Sequence, residues 1–129
     1  MKKIFFIAII SFCFLVELGQ AETVVFEGTP LIKNSASAEG TNNEQVQGED
    51  QTNYKLIITK EGNEFIWFSR EKKKLKHVKS GAFDYFVNLD GSGYIKITKA
   101  ENGKYLYLEH MSIGLQTITY WGISEKFEP

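Results

Sequence analysis

Residues 83–121 carry the feature that most limits how this chain can fold: four runs of alternating apolar and polar residues, separated by turn sequences. Strict alternation bounded by Gly, Asn, Asp and Ser is typical of half-buried strands in antiparallel order. The turn sequences lie at residues 90–93 (DGSG), 102–103 (NG) and 111–114 (MSIG). This stretch therefore predicts an antiparallel β-meander.

Turn length decides which side chains share a face, because directly opposed residues of an antiparallel pair point the same way. The alternation is satisfied by a two-residue turn at Asn102-Gly103, with positive φ at both positions. It also requires a three-residue loop at residues 91–93, with Gly93 at positive φ. This register predicts an inner face of Phe83, Tyr85, Val87, Leu89, Ile95, Ile97, Leu106 and Leu108, and an outer face of Phe86, Asn88, Lys96, Thr98, Tyr105, Tyr107 and Glu109.

The N-terminus has the pattern of a secretory signal peptide. Lys2-Lys3 precede an apolar run over residues 4–16, and small residues follow at the position of a peptidase site. We expect cleavage after Ala21, secretion to the periplasm or the exterior, and no transmembrane anchor in the mature chain. The only cysteine, Cys13, lies within the signal, so disulfides and thiol chemistry are not expected in the mature protein.

The mature chain changes in composition near Tyr54. Residues 33–53 contain Val46 as their only sizeable apolar side chain, and such a segment buries too little surface to offset the entropy lost on ordering. We therefore predict a short N-terminal strand and an acidic polar linker in residues 22–53, followed by a β domain in residues 54–129. The formal net charges of these two segments are −5 and +3.

The number of predicted strands defines the fold class. Seven or eight short strands, short connections after Tyr54 and no sustained helical period predict an all-β fold. It would be a small antiparallel meander, closed as a barrel or packed as a two-sheet sandwich. Residues 54–60 and 64–69 are apolar on both faces, which is typical of central strands. Phe127, near the C-terminus, is placed to act as a clasp.

Signals for catalysis or metal binding are weak. Residues 88–95 are similar to the first positions of an EF-hand loop, but Lys99 stands where the loop needs a bidentate Glu. We therefore interpret this stretch as a hairpin turn and predict no metal and no cofactor. Glu109 and His110 are the only adjacent acid–imidazole pair, and neighbours on a strand face opposite ways. We assign no catalytic residue and keep a hydrolase with a site around His110 as an alternative.

Two features favour binding. Residues 70–79 hold six basic residues and one acid, which suits an anionic macromolecule, although the same lysines also suit a solvated edge strand. The predicted outer face carries an aromatic row, which needs a partner molecule or an internal cover. The candidate binding surface is Arg70, Lys72, Lys73, Lys74, Lys76, Lys79, Phe86, Tyr105 and Tyr107.

These observations together favour a secreted, non-enzymatic binding module, inhibitor-like in its size and secretion. Its expected partner is a macromolecule of anionic character, and no specific nucleic acid is predicted. A second alternative, besides the hydrolase, is a carrier that holds a small molecule inside a β-barrel.

Overall fold

The computed structural model describes residues 22–129, which form a closed antiparallel β-barrel of eight strands with one further strand outside it. The predicted signal peptide and Cys13 lie outside the described residues. The all-β prediction is confirmed, and the barrel is the form the fold takes. The strands are β1 Thr23–Ser37, β2 Gly40–Gln45, β3 Leu56–Glu61, β4 Glu64–Trp67, β5 Lys73–Ser80, β6 Phe83–Asn88, β7 Gly93–Lys99, β8 Tyr105–Ile113 and β9 Gln116–Ser124. A short helix, α1, spans Glu49–Asn53, and within residues 22–129 no helix has the length and apolarity to cross a membrane.

The barrel is a meander closed by its first strand. Each strand from β3 to β9 pairs with the next along the chain, and β1 pairs with both β3 and β9. Irregular pairing near Phe26 and Pro30 allows β1 to pass from one neighbour to the other. Because successive turns of a meander alternate between ends, the β4–β5, β6–β7 and β8–β9 turns share one end, called the mouth below. The other end is called the base.

Residues 33–53 are ordered as secondary structure and are not the linker that their composition predicts. β1 continues to Ser37, and β2 pairs with its second half, from Ile32 opposite Gln45 to Ser37 opposite Gly40. All side chains of β2 are exposed, so backbone hydrogen bonds hold this strand in place. Composition misses such a strand because the pairing of backbone groups requires no apolar burial.

The core fills the interior of the barrel. β3 and β4 contribute three of its fully buried residues, Leu56, Ile58 and Trp67, as expected of central strands. At the base, the ring of Phe127 lies edge-to-face with three other rings, at centroid distances of 5.7 Å from Phe26, 5.9 Å from Phe86 and 5.7 Å from Tyr105. The C-terminal clasp predicted from sequence is therefore confirmed.

The faces of β6 and β8 are the reverse of the prediction. Tyr107 is 3% exposed and points into the barrel, whereas Leu106 is 46% exposed. The cause on β8 is the length of the preceding turn: Lys99 pairs with Tyr105, and only Gly103 in this turn has positive φ, at 83°. A type I turn with a glycine bulge replaces the two-residue turn. One additional residue shifts the register by one and moves every side chain of the strand to the other face.

The turn between β6 and β7 is also longer than predicted. Val87 pairs with Tyr94, and positive φ occurs at Gly91, at 82°, instead of at Gly93. Gly93 is needed for space, because a Cβ atom there would lie 2.2 Å from the carbonyl oxygen of His110. This register difference reverses β6 as well, so β7 keeps its predicted faces while both of its neighbours are turned over.

Candidate functional site

The outside of the barrel from β5 round to β1 presents three parallel rows of side chains, called the outer face below. The strand register places Val78, Tyr85, Lys96, Leu108, Trp121 and Ile32 in the central row. The row on the mouth side is Lys76, Val87, Tyr94, His110, Thr119 and Asn34, and the row on the base side is Ser80, Phe83, Thr98, Leu106, Ile123 and Thr29. Directly opposed side chains have Cβ atoms about 4.5–5.5 Å apart, so each row is continuous.

Large apolar side chains dominate the outer face and stay in contact with solvent. Leu106 and Ile32 are each 46% exposed, Val78 is 43% exposed and Trp121 is 41% exposed. Contiguous exposed apolar surface is uncommon on soluble monomers and marks an interaction site. The surface arises because β6 and β8 carry apolar side chains on both faces, and the barrel interior can accept only one of them.

Every charged side chain in the three rows is basic. Lys76 and Lys96 stand among the apolar groups, and the rows contain no acid. The Lys96 amine lies 4.1 Å from the ring centroid of Phe83, a cation–π contact that holds the charge over the face. The two acids of β6 and β8, Asp84 and Glu109, lie on the inner sides of their strands, opposite the buried residues of β7. The outer face is therefore apolar, with two basic side chains and no acid in its rows.

The basic residues predicted for binding are spread over several places. Lys72, Lys74, Lys76 and Lys79 are exposed. Arg70 and Lys73 are partly buried at the mouth, where Arg70 pairs with an internal acid, so it is not a free surface cation.

The three aromatic residues predicted for the same surface are not there. Phe86 and Tyr107 are buried inside the barrel, and Tyr105 packs on Phe127 at the base. The reversed faces of β6 and β8 are the physical reason. The sequence prediction placed Lys96 on the outer face correctly but missed Tyr94 and Trp121. Tyr94 lies two residues from Lys96 on the same strand and therefore on the same face, which was the available signal.

A cleft of about 430 Å³ opens at the mouth, between the β4–β5, β6–β7 and β8–β9 turns. Trp67, Met111 and Ile113 form an apolar wall. Polar groups come from Lys73 and Ser92, whose Nζ and Oγ atoms are 3.0 Å apart.

Glu109 lies beside this cleft, inside the barrel, and is fully buried. The indole N–H of Trp67 donates to one carboxylate oxygen at 2.7 Å, and Nη2 of Arg70 donates to the other at 2.8 Å. Burial raises the pKa of Glu109, and the Arg70 guanidinium and the Trp67 hydrogen bond oppose that rise. These charge-assisted hydrogen bonds fix the Trp67 ring and the Arg70 side chain in place.

The two histidines belong to separate pairs. His77 Nε2 lies 2.7 Å from Asp84 Oδ1, and the His77 ring stacks on Phe86 at 4.6 Å. His110 Nδ1 lies 2.9 Å from the Thr119 hydroxyl on the outer face. In the part of the chain that the structure describes, no group of three or more His, Cys, Asp or Glu side chains is placed to hold a metal ion.

Comparisons of this chain with protein-family models, with curated proteins and with solved structures found no match.

Proposed function

We propose that this protein is a secreted or periplasmic, non-enzymatic binding module that engages an acidic surface of another protein through its outer face. The observation that carries the proposal is the combination of exposed apolar rows with two lysines and no acid. The buried centre of a protein interface is enriched in aromatic residues and depleted in charged ones, so the apolar side chains of the rows would form that centre. Lysines facing carboxylates on the partner would steer the two proteins together and fix their orientation.

The aliphatic content of the outer face favours a protein partner over a simple polyanion. A polyanion is bound mainly through cations, with a steep dependence on salt. In the three rows, large apolar side chains outnumber lysines, and Leu106, Ile32 and Val78 would gain nothing from a charged polymer. A protein surface with an apolar centre and carboxylates around it would cover both kinds of group.

The signal-peptide pattern of residues 1–21 supports the proposed location. The absence of cysteine from residues 22–129 is compatible with an oxidising compartment, since no free thiol is exposed to it.

The filled interior favours a surface function over transport inside the barrel. Trp67, Phe86, Ile95 and Ile97 project into the interior, and each is at most 1% exposed. A ligand at mid-barrel would have to displace these side chains, at a cost in buried apolar area.

A retention assay with matched variants tests the proposal. Trp121→Ser and Leu106→Ser remove apolar area from the outer face, and Lys96→Glu reverses its charge. Val24→Ser is the control, because Val24 is 52% exposed but lies outside the three rows. Each immobilised protein is exposed to the secreted proteins of the source organism. We expect an acidic protein to be held by the wild type and by Val24→Ser, and to be bound about thirtyfold more weakly by the others.

Three results would contradict this proposal. Equal retention by the outer-face variants and by Val24→Ser would remove the outer face from consideration. A wild type that dimerises in sedimentation velocity, with a monomeric Trp121→Ser variant, would show that the partner is a second copy. Retention on heparin that is lost in Lys96→Glu but kept in Trp121→Ser, with no acidic protein bound, would indicate a polyanion.

A further inference from the structure

We infer that the cleft at the mouth is a second binding site, specific for small amphipathic anions such as medium-chain carboxylates. Its volume of about 430 Å³ falls in the range of roughly 300–1,000 Å³ that is typical of small-molecule sites, which recur at the mouths of β-barrels. The cleft opens at one end of the barrel, whereas the outer face lies on its side. The proposed protein partner therefore leaves the cleft free.

The apolar part of the ligand would lie mainly on Ile113, over a floor formed by Met111 and Trp67, which are 9% and 1% exposed. Trp67 cannot turn away, because its indole N–H is bound to the buried Glu109 at 2.7 Å. Gly93 makes room for the same ring, since a Cβ atom there would lie 2.9 Å from it. Met111 is an adaptable side chain, and Ile113 is 56% exposed at the rim. The apolar wall is therefore fixed in position at Trp67 and exposed to solvent at Ile113.

The anionic group of the ligand would meet the Lys73 amine. The Lys73 amine lies 3.0 Å from the Ser92 hydroxyl and 3.7 Å from the Asp90 carboxylate, whose side chain is 58% exposed. An ion pair in solvent at that distance contributes little. Asp90 also accepts the backbone N–H of Ser92 at 2.7 Å, so it does not depend on the lysine. Lys73 can therefore exchange Asp90 for a ligand carboxylate. The Ser92 hydroxyl donates to Asn88 Oδ1 at 3.0 Å and accepts from Lys73, so it holds the amine at the cleft.

Two other charged side chains, Arg70 and Glu71, also line the cleft. Arg70 is neutralised by Glu109, at 2.8 Å. Glu71 and Lys72 are both exposed and have opposite charges. Of the two cations that line the cleft, Lys73 is therefore the one that can bind a ligand anion.

The β4–β5 turn, which leads from Arg70 to Lys73, has an unusual backbone conformation. Glu71 and Lys72 have φ values of 58° and 54°, although neither is glycine. Such residues persist only where the surrounding structure imposes them, and they occur frequently at ligand sites. Here they set the path of the chain between Arg70 and Lys73, so the site is formed before a ligand arrives.

Three probes with one eight-carbon chain and different head groups test the inference: octanoate, 1-octanol and octylammonium. The protein has two tryptophans, so a Trp121→Phe background leaves Trp67, at the cleft, as its only tryptophan, and excitation at the red edge of the tryptophan band selects its emission over that of the tyrosines. We expect octanoate to change the Trp67 emission saturably. Octanol should bind about tenfold more weakly because it lacks the charge, and octylammonium more weakly still.

Variants of two neighbouring lysines distinguish binding at the cleft from non-specific binding of anions to surface lysines. In the same background, Lys73→Gln should weaken octanoate binding about tenfold and remove its advantage over octanol. Lys74→Gln is the control, because the Lys74 side chain is 75% exposed and does not line the cleft; it should leave the affinity unchanged. Equal binding of the three probes, equal effects of the two variants, or no saturable change with octanoate would each overturn the inference.

Discussion

Among single residues, Glu109 and Tyr107 are both buried in the barrel but differ in how their polar atoms are satisfied. Glu109 accepts hydrogen bonds from Trp67 and Arg70. The Tyr107 hydroxyl is buried with no hydrogen-bond partner in residues 22–129. The Tyr107 ring lies against bare backbone, since a Cβ atom on Gly122 would lie 2.5 Å from it. The fold therefore requires the Tyr107 ring for its shape, whereas the unpaired hydroxyl lowers the free energy of unfolding.

Tyr107→Phe should consequently stabilise the protein. A buried unsatisfied polar group costs about 1–3 kcal/mol, so removing it should raise the free energy of unfolding by about 1 kcal/mol at neutral pH. Tyr94→Phe makes the same change on the exposed outer face and should stay within about 0.5 kcal/mol of the wild type. Urea denaturation measures both variants. A destabilised Tyr107→Phe would mean that the hydroxyl contributes a bond the fold needs.

Burial of Tyr107 and Tyr120 should make the free energy of unfolding fall as the pH becomes alkaline. Burial raises the pKa of Tyr107, and it raises the pKa of Tyr120 to about 12. Because the folded-state pKa values exceed the unfolded value, the unfolded chain ionises first. The tyrosines therefore contribute stability that is complete below a pH of about 10 and is lost as the pH rises above it. Tyr107→Phe should lose less stability over this range than the wild type, and an unchanged slope would contradict the assignment.

Whether a side chain points into or out of the barrel could be predicted from alternation alone on β7, but on β6 and β8 it depended on turn lengths that were predicted wrongly. Ile95, Ile97 and Lys96 were placed correctly on β7, whereas Phe86 and Tyr107 were not. In β8 the residues from Tyr105 to Leu108 are all apolar or aromatic, so hydrophobicity alone does not choose a face. The Asn-Gly pair suits two turn types that differ by one residue, and that single residue decides the parity.

At the scale of elements, the C-terminal segment after β9 closes the base. Phe127 lies within 6 Å, centroid to centroid, of the rings of Phe26, Phe86 and Tyr105. The backbone N–H of Glu128 also donates to the carbonyl of Val25 at 2.9 Å. The segment therefore links the end of the chain to the first strand.

Phe127→Ala should destabilise the barrel by about 3 kcal/mol, because it leaves a cavity beneath several aromatic rings. Phe68→Ala is the matched control: Phe68 lies at the mouth and is 39% exposed, so its loss should cost about 0.5 kcal/mol or less. Thermal or urea unfolding of both variants gives the comparison. Equal losses would show that Phe127 is not a structural clasp.

The element that sequence could least anticipate is β1. The run of apolar residues predicted a short strand at residues 23–26, and the observed strand has 15 residues. Its second half is mostly polar, and it is ordered because β9 and β2 pair with it on either side. Periodicity reports side-chain burial and carries no signal for a strand stabilised by its neighbours' backbones.

For the whole molecule, closure of the barrel places the acidic N-terminal part of the sequence and the more basic remainder on different strands around the surface. Residues 22–53 have a formal net charge of −5, and they supply β1, β2 and α1. The acid-free rows run across β5 to β9 and end on β1, at Thr29, Ile32 and Asn34. An acidic partner directed by this field would approach the outer face and be repelled by the side that carries β2.

Closure by β1 also makes the first strand inseparable from the rest of the barrel, which a specific cut can test. A protease site inserted between Gln47 and Gly48 would divide the chain after β2, in a surface connection that should accept the insertion. After cleavage, the N-terminal fragment should stay bound, because β1 pairs with both β3 and β9 and because Val25 and Phe26 are 5% and 1% exposed in the core. Size-exclusion chromatography should show the fragments co-eluting in native buffer and separating in urea.

Phe26→Ala should weaken this association, since it removes a large buried side chain from the smaller fragment. Loss of that fragment in native buffer would show that β1 is a detachable tail and that the remaining strands close without it.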